Sequence, residues 1–165
     1  MVEVHLIAGG TGSGKTTYAR GLASKMRAIR FSIDEWMTTL FWMDSPQPIE
    51  FEWTMERIGR CEMQIREQVA ALAERGLGSV LDLGFTRAAH RLAFADFART
   101  IGAQPVLHYL NVPAETRWQR VLARNVERGD TYRMDVDKAM FEFMEGQWQA
   151  PDEGELQATN GHVFS

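Results

Sequence analysis

The stretch Gly9-Gly10-Thr11-Gly12-Ser13-Gly14-Lys15-Thr16 decides how this chain is to be read. It satisfies the spacing G-x-x-x-x-G-K-[ST] of a P-loop, a glycine-rich turn that wraps phosphate groups. Both flanks agree. Val2-Glu3-Val4-His5-Leu6-Ile7-Ala8 alternates and then runs apolar, as a buried strand does. From Thr16 to Ala28, residues Ala19, Leu22, Ala23 and Met26 recur at helical spacing. Strand, loop and helix therefore come in the order the motif requires. A glycine turn that merely precedes a lysine would not bring both partners with it.

Each motif residue has a physical task. Gly9, Gly12 and Gly14 let the chain turn tightly and approach a phosphate with no Cβ in the way. Successive N–H groups from Gly9 to Thr17, including those of Gly10, Thr11 and Ser13, join the positive end of the following helix in surrounding an anion. Lys15 is placed to reach the β- and γ-phosphates, and the Thr16 hydroxyl to ligate Mg²⁺. The expected ligand is a nucleoside triphosphate.

With 165 residues, the chain is expected to form one domain that buries a core without staples. Its 45% hydrophobic and 24% charged residues are ordinary for a soluble globular protein. A formal net charge of −4 gives no overall drive toward nucleic acid, although a local basic face is compatible with it. Cys61 is the only cysteine, so an internal disulfide is excluded, and its spacing between Ile58 and Ile65 points to a buried, inert thiol. His5, His90, His108 and His162 form no ligand-spaced pair. No signal-like leader opens the sequence and no apolar run approaches spanning length, so no membrane is expected and the cytoplasm is the expected address.

Further along, Ile29 to Asp34 reads as a second strand ending in a carboxylate. Two prolines make Asp44 to Pro48 a loop. A long helix is expected from about Glu52 to Arg75, its apolar positions Met55, Ile58, Cys61, Ile65, Val69 and Leu72 spaced by three or four and Gly76 ending it. Ser79 to Gly84 reads as a third strand. A helix over Arg87–Thr100 would bury Leu92, Phe94 or Ala95, and Ala98. Pro105 to Val112 reads as a fourth strand, and Pro113 opens a helix to about Arg128. Another helix is expected over Val136–Trp148, and Leu156 to Val163 is a weak final strand. Alternating strands and helices imply a parallel sheet covered on both faces. Ligands of such sheets bind beyond the carboxyl ends of the strands, here Gly9–Thr16, Asp34, Asp82 and Val112-Pro113.

Candidate chemistry gathers at those ends. Asp34 is placed to orient an acceptor hydroxyl and take its proton, or else to belong to a helix start with Glu35. Asp82 would hold Mg²⁺ through water or bind the acceptor, with a plain turn role as the alternative. Arg87 and Arg91, one helical turn apart, are candidates to grip the acceptor. Arg117, Arg120, Arg124 and Arg128 share a helix face, where like charges repel unless an anion or an acidic partner compensates. Arg120 and Arg124 are the candidates for closing over a transferring phosphoryl group. Arg117 and Arg128 fit a solvated face paired with Glu115 and Glu127. Trp36, Phe41, Trp42, Phe51 and Trp53 either wall an acceptor pocket or pack to hold their own segment together.

In order, the P-loop, Ser32-Ile33-Asp34-Glu35, Val80-Leu81-Asp82-Leu83-Gly84-Phe85-Thr86-Arg87 and Leu110-Asn111-Val112-Pro113-Ala114-Glu115 followed by Arg120 and Arg124 resemble the zeta-toxin/polynucleotide-kinase-like group of P-loop kinases. That group is often labelled AAA-type ATP-binding proteins, includes chloramphenicol phosphotransferase, and is similar to nucleotide and shikimate kinases. The resemblance implies a three-layer α/β P-loop NTPase fold with a parallel five-stranded sheet ordered 2-3-1-4-5. It implies ATP as phosphoryl donor, Mg²⁺ as cofactor, an acceptor-activating carboxylate at Asp34 and lid arginines at Arg120 and Arg124. An acceptor-side insert is expected over about 36–75 and a lid over about 117–135, within a single domain spanning 1–165. Asp82-x-Gly84-Phe85-x-Arg87 is similar to the Asp-Gly-Phe-Pro-Arg of adenylate kinases but has an extra residue and no proline, which speaks against a nucleoside monophosphate acceptor. The expected function is a kinase acting on a hydroxyl of a small molecule. The alternatives are a polynucleotide or RNA-end kinase, and a non-catalytic protein whose partner reads its ATP state.

Overall fold

The computed structural model describes residues 1–165. Strand β1 (Glu3–Gly9) is buried from Val4 onward and lies at the centre of a five-stranded parallel sheet. Its neighbours are β3 (Ser79–Asp82) and β4 (Gln104–Leu110). Strand β2 (Ile29–Ser32) lies outside β3, and β5 (His162–Phe164) outside β4, giving the order β2-β3-β1-β4-β5. The register sets Ser32 beside Asp82 and Gly9 beside Leu110, so the carboxyl ends of four strands form one rim. This is the expected parallel sheet.

Alternation along β1 sends its side chains to two different layers. Val4, Leu6 and Ala8 face the larger core, built with Cys61, Ile65 and Val69 of α3 (Phe51–Glu74) and Phe94 and Ala98 of α4 (Ala88–Thr100). Ile7 faces the opposite layer, where Ala19 and Ala23 of α1 (Lys15–Met26) close a smaller core with Val80 and Leu110. Small residues on α1 let that helix sit close to the sheet, and with it the loop that α1 begins. A third cluster, Val121, Val136 and Phe141, joins α5 (Ala114–Glu127) to α6 (Lys138–Gln147).

Several expected boundaries move, each for a local reason. Strand β2 stops at Ser32, whose hydroxyl accepts from the Glu35 N–H at 3.4 Å and caps α2 (Ile33–Leu40). Asp34 is therefore a first-turn helix residue and not a strand end. The segment expected as a weak strand from Leu156 begins as α7 (Glu153–Ala158), capped by the Asp152 carboxylate accepting from the Glu155 N–H at 2.8 Å. The strand itself is only β5. Likewise Asp137 caps α6, which starts two residues later than its apolar pattern implied. Leu92 is exposed on α4, while Phe94, Ala95 and Ala98 take the buried face.

Three of the four histidines meet across the sheet, which their spacing gave no reason to expect. His5 Nδ1 lies 3.0 Å from His108 Nε2, and the Tyr18 hydroxyl of α1 lies 2.8 Å from His108 Nδ1. The His162 ring is 5.9 Å from that of His108. His5 Nε2 lies 3.5 Å from a Glu3 carboxylate oxygen, which can only accept. A single donor order satisfies every group with both imidazoles neutral. Tyr18 O–H donates to His108, His108 Nε2–H donates to His5, and His5 Nε2–H donates to Glu3. Burial holds both imidazoles below the ordinary value, His108 at about 4.

Candidate active site

The P-loop runs from the end of β1 into α1. Gly12 and Gly14 both have positive φ (79° and 88°), a region that an L side chain rarely adopts. The glycines also serve α5. A Cβ on Gly10 would stand 2.4 Å from the Arg117 guanidinium, and one on Gly12 would stand 2.5 Å from the Arg117 carbonyl oxygen. At Gly14 there is open space, with only Arg120 as far as 3.9 Å away. Gly14 thus faces open space, whereas Gly10 and Gly12 admit a neighbouring helix.

Arg117 explains that approach, and it departs from the expected solvated face. Buried under the loop, its guanidinium donates to Val112 O (2.8 Å) and Thr11 O (3.2 Å) and forms a two-pronged pair with Glu145 of α6 (2.5 and 2.8 Å). It braces loop, α5 and α6 together. Arg128 also differs from expectation: it pairs at the surface with Asp135 and not with Glu127.

Lys15, Asp82 and Asp34 are brought together. The Lys15 ammonium is enclosed by its own loop and donates to Gly9 O (2.8 Å) and Gly10 O (3.1 Å). Burial lowers its pKa, opposed by the nearby charges of Asp82 and Asp34. Asp82 is buried at the end of β3; burial raises its pKa, opposed by Lys15, Arg30 and the Thr16 hydroxyl. Asp34 is exposed, yet its charge reaches both Lys15 and Asp82, so it stands on the open side of the same site.

Arg120 and Arg124 approach from α5. Arg120 reaches Ser13 O at 3.4 Å. Arg124 is near enough to Lys15 to lower its pKa, and its buried Nε–H has no hydrogen-bond partner. Buried donors are nearly always satisfied, so an unmet donor on a guanidinium next to a lysine fits an anion held between them.

Two expected residues are not brought in. Arg91 is almost wholly buried between α4 and α7, where it donates to Phe85 O (2.9 Å) and to both Glu155 oxygens (2.5 and 3.0 Å). Those bonds hold α7 on the sheet, and burial keeps the guanidinium away from any acceptor at the rim. Arg87, exposed at the start of α4, bonds Gln147. The aromatic group divides: Trp36 packs against Phe31, Arg57 lies 4.0 Å from the Trp53 ring, and Trp42 and Phe51 stay exposed. Arg20, Arg30 and Arg133 were not anticipated, and Glu35 was read only as part of a helix start. Glu35 pairs with Arg30, with Arg20 (3.1 Å) and with Arg133 (3.7 Å), and Arg30 also meets Asp82. Glu35 left a trace in the sequence as part of the helix start with Asp34, and Arg30 as a charge on the same strand face as Ser32.

A five-stranded parallel sheet with this order and a P-loop at its rim defines a nucleotide-binding protein with the P-loop kinase-like fold. A family model for the AAA domain matches residues 4–151, and the chain belongs to that family. No curated protein matches it. Among solved structures it is similar to a sugar kinase from Janibacter sp. HTCC2649 (18% identity, TM-score 0.67), covering 99% of this chain and 85% of that one. It is also similar to a gluconokinase from Sinorhizobium meliloti 1021 (14%, TM-score 0.68; 98% and 81% covered). A third is Kti12 from Chaetomium thermophilum in complex with ADP-AlF3 (15%, TM-score 0.66; 98% and 88% covered). At such identities the likeness is one of fold.

Proposed function

We propose that this protein is an ATP-dependent kinase that transfers a phosphoryl group to a hydroxyl of a small molecule. The observation that carries the reading is that Lys15, held by Gly9 O and Gly10 O, lies within charge range of Asp82, Asp34 and Arg124, with the Arg124 Nε–H unmet and Arg120 at Ser13 O. Lys15 and the loop amides hold the triphosphate. No cluster of three or more His, Cys, Asp or Glu side chains is placed to chelate a metal. One carboxylate and one hydroxyl beside phosphates are what Mg²⁺ takes in such sites, and Asp82 and Thr16 fit that need. When bound, the ion neutralises charge on the phosphate oxygens. Asp34 accepts the acceptor's hydroxyl proton as the new O–P bond forms and the bond to the ADP leaving oxygen breaks. Arg120 and Arg124 stabilise negative charge on the transferring group. Residues 36–75 serve as the acceptor-side insert and 117–135 as the lid.

A small acceptor is favoured over a nucleic-acid end by the charge beside Asp34. From Asp34 to Glu56 there are six carboxylates and no lysine, arginine or histidine, which repels a polyanion. The arginines near Glu35 are already paired with it and with Asp82. A second reading, a protein whose partner responds to its nucleotide state, draws on the exposed Trp42, Met43, Ile49 and Phe51.

The test is transfer from γ-labelled ATP to pooled metabolites, antibiotics and RNA or DNA ends, with Asp34→Asn alongside. Label in a small-molecule pool, lost in the variant while ATP binding persists, is the expected result. Label on nucleic-acid ends alone would overturn the acceptor class. Tight ATP binding with no label in any pool would favour the partner-responsive reading.

A further inference from the structure

The side chain of Arg30 has an environment that neither catalysis nor packing has yet explained. It sits inside β2, in register with Val80, on the layer where Ile7, Ala19 and Val80 make an apolar core. Its side chain is only 13% exposed. Burying a guanidinium there is costly unless it is paired, and Arg30 is paired twice. Nη1 donates to Asp82 Oδ2 at 3.1 Å, and Nη2 bonds Glu35 Oε1. Asp82 ends β3 at the metal side of the site, whereas Glu35 follows Asp34 in the first turn of α2 at the acceptor side. One guanidinium fork thus spans both halves.

A buried ion pair adds little net stability over an apolar side chain of similar volume. The worth of this one lies in orientation. Taking Asp82 by Oδ2 restrains the plane of its carboxylate and leaves Oδ1 outside the Arg30 pair. Groups that hold a ligand carboxylate in this way raise metal affinity without touching the metal. Lysine would not substitute fully, because a single ammonium lacks the fork that serves two carboxylates at once.

We propose that Arg30 is a positioning residue: it orients Asp82 for a divalent cation and, by gripping Glu35, ties the metal side of the site to the helix that carries Asp34. This rests on the nucleotide and metal roles proposed above for Lys15 and Asp82. The test is nucleotide affinity with and without Mg²⁺, which requires no turnover and no known acceptor. Wild type, Arg30→Met, Asp82→Asn and the double variant are compared using a fluorescent ATP analogue, with thermal melting as a check on folding. Arg30→Met should retain wild-type affinity without Mg²⁺ and lose about tenfold of the Mg²⁺-dependent gain. The double variant should be no weaker than Asp82→Asn alone, since Arg30 acts through Asp82. Arg30→Lys, which keeps the stem and charge, should fall between wild type and Arg30→Met and remains informative if Arg30→Met does not fold. An unchanged Mg²⁺ titration in Arg30→Met or Arg30→Lys, or additive losses in the double variant, would overturn the proposal. Wild type that binds the analogue equally well without Mg²⁺ would overturn the metal role of Asp82 and this proposal with it. No binding at all would instead indict the nucleotide reading.

Discussion

The P-loop glycines do two different jobs, and substitution separates them. Gly12→Ala places a methyl against the Arg117 carbonyl at a φ of 79°, so both backbone strain and a clash oppose it. It should cost about 2 kcal/mol and lower the melting temperature by about 6 °C. Gly14→Ala meets open space and should act mainly on nucleotide affinity, with a smaller melting shift. Calorimetric melting and nucleotide titration of the two variants check this; equal effects on both readouts would refute the division. Lys15 and Thr16 stand out in the sequence through motif spacing and Asp82 through its strand end, whereas Asp34 lies in the first turn of α2 and not at the strand end that singled it out. Arg91 was misplaced because one helical turn from Arg87 says nothing about which way the helix faces. Its partner Glu155 is 64 residues away, and no local pattern announces such a pair.

At the scale of elements, α5 is braced against α6 by the Val121, Val136 and Phe141 cluster and by one largely buried ion pair, Arg117 with Glu145. Glu145→Ala leaves the buried Arg117 guanidinium without its carboxylate. The expected cost is about 2–3 kcal/mol, moderated because Glu145 is 28% exposed. Urea unfolding measures it, and a change below about 0.5 kcal/mol would show that α5 and α6 do not rely on the pair. A stabilising change is available on α1, where Gly21 is exposed with nothing within 4 Å of a new Cβ. Gly21→Ala should raise stability by about 1 kcal/mol in the same assay. Long periodic elements such as α3 were readable from apolar spacing. Short ones were not: α7 and the start of α6 are set by aspartate caps, a signal of one side chain that apolar periodicity does not register.

For the molecule as a whole, acid should be the weak direction. His108 is held at about 4 against an ordinary 6.5, so the unfolded chain binds a proton that the folded one refuses between those values. Stability from this source is complete above pH 6.5 and is lost as pH falls toward 4, by up to about 3 kcal/mol. His5, held down by burial, adds to the loss with the same sign. Glu145, held low by its bond to Arg117, contributes stability that disappears in more acid solution still. Melting temperature followed from pH 7.5 to 4.5 should fall, and His108→Gln should flatten that slope; parallel curves would remove the histidine pair from the account. The sheet order was anticipated because strand–helix alternation and motif resemblance bear on topology. The histidine chain was not, because the pairing register that joins β1 to β4 is written in no single segment.

The seating of α5 on the P-loop has a mechanical consequence. With the Arg117 guanidinium against Gly10 and its carbonyl against Gly12, there is no slack for the helix to slide along the loop. Any swing of the arm formed by α5, α6 and their connection must turn about that contact as a pivot, with the connecting residues sweeping the widest arc. The far end of that arm carries Arg133, which lies 3.7 Å from Glu35 beside Asp34, so a turn about the loop contact would be felt most there.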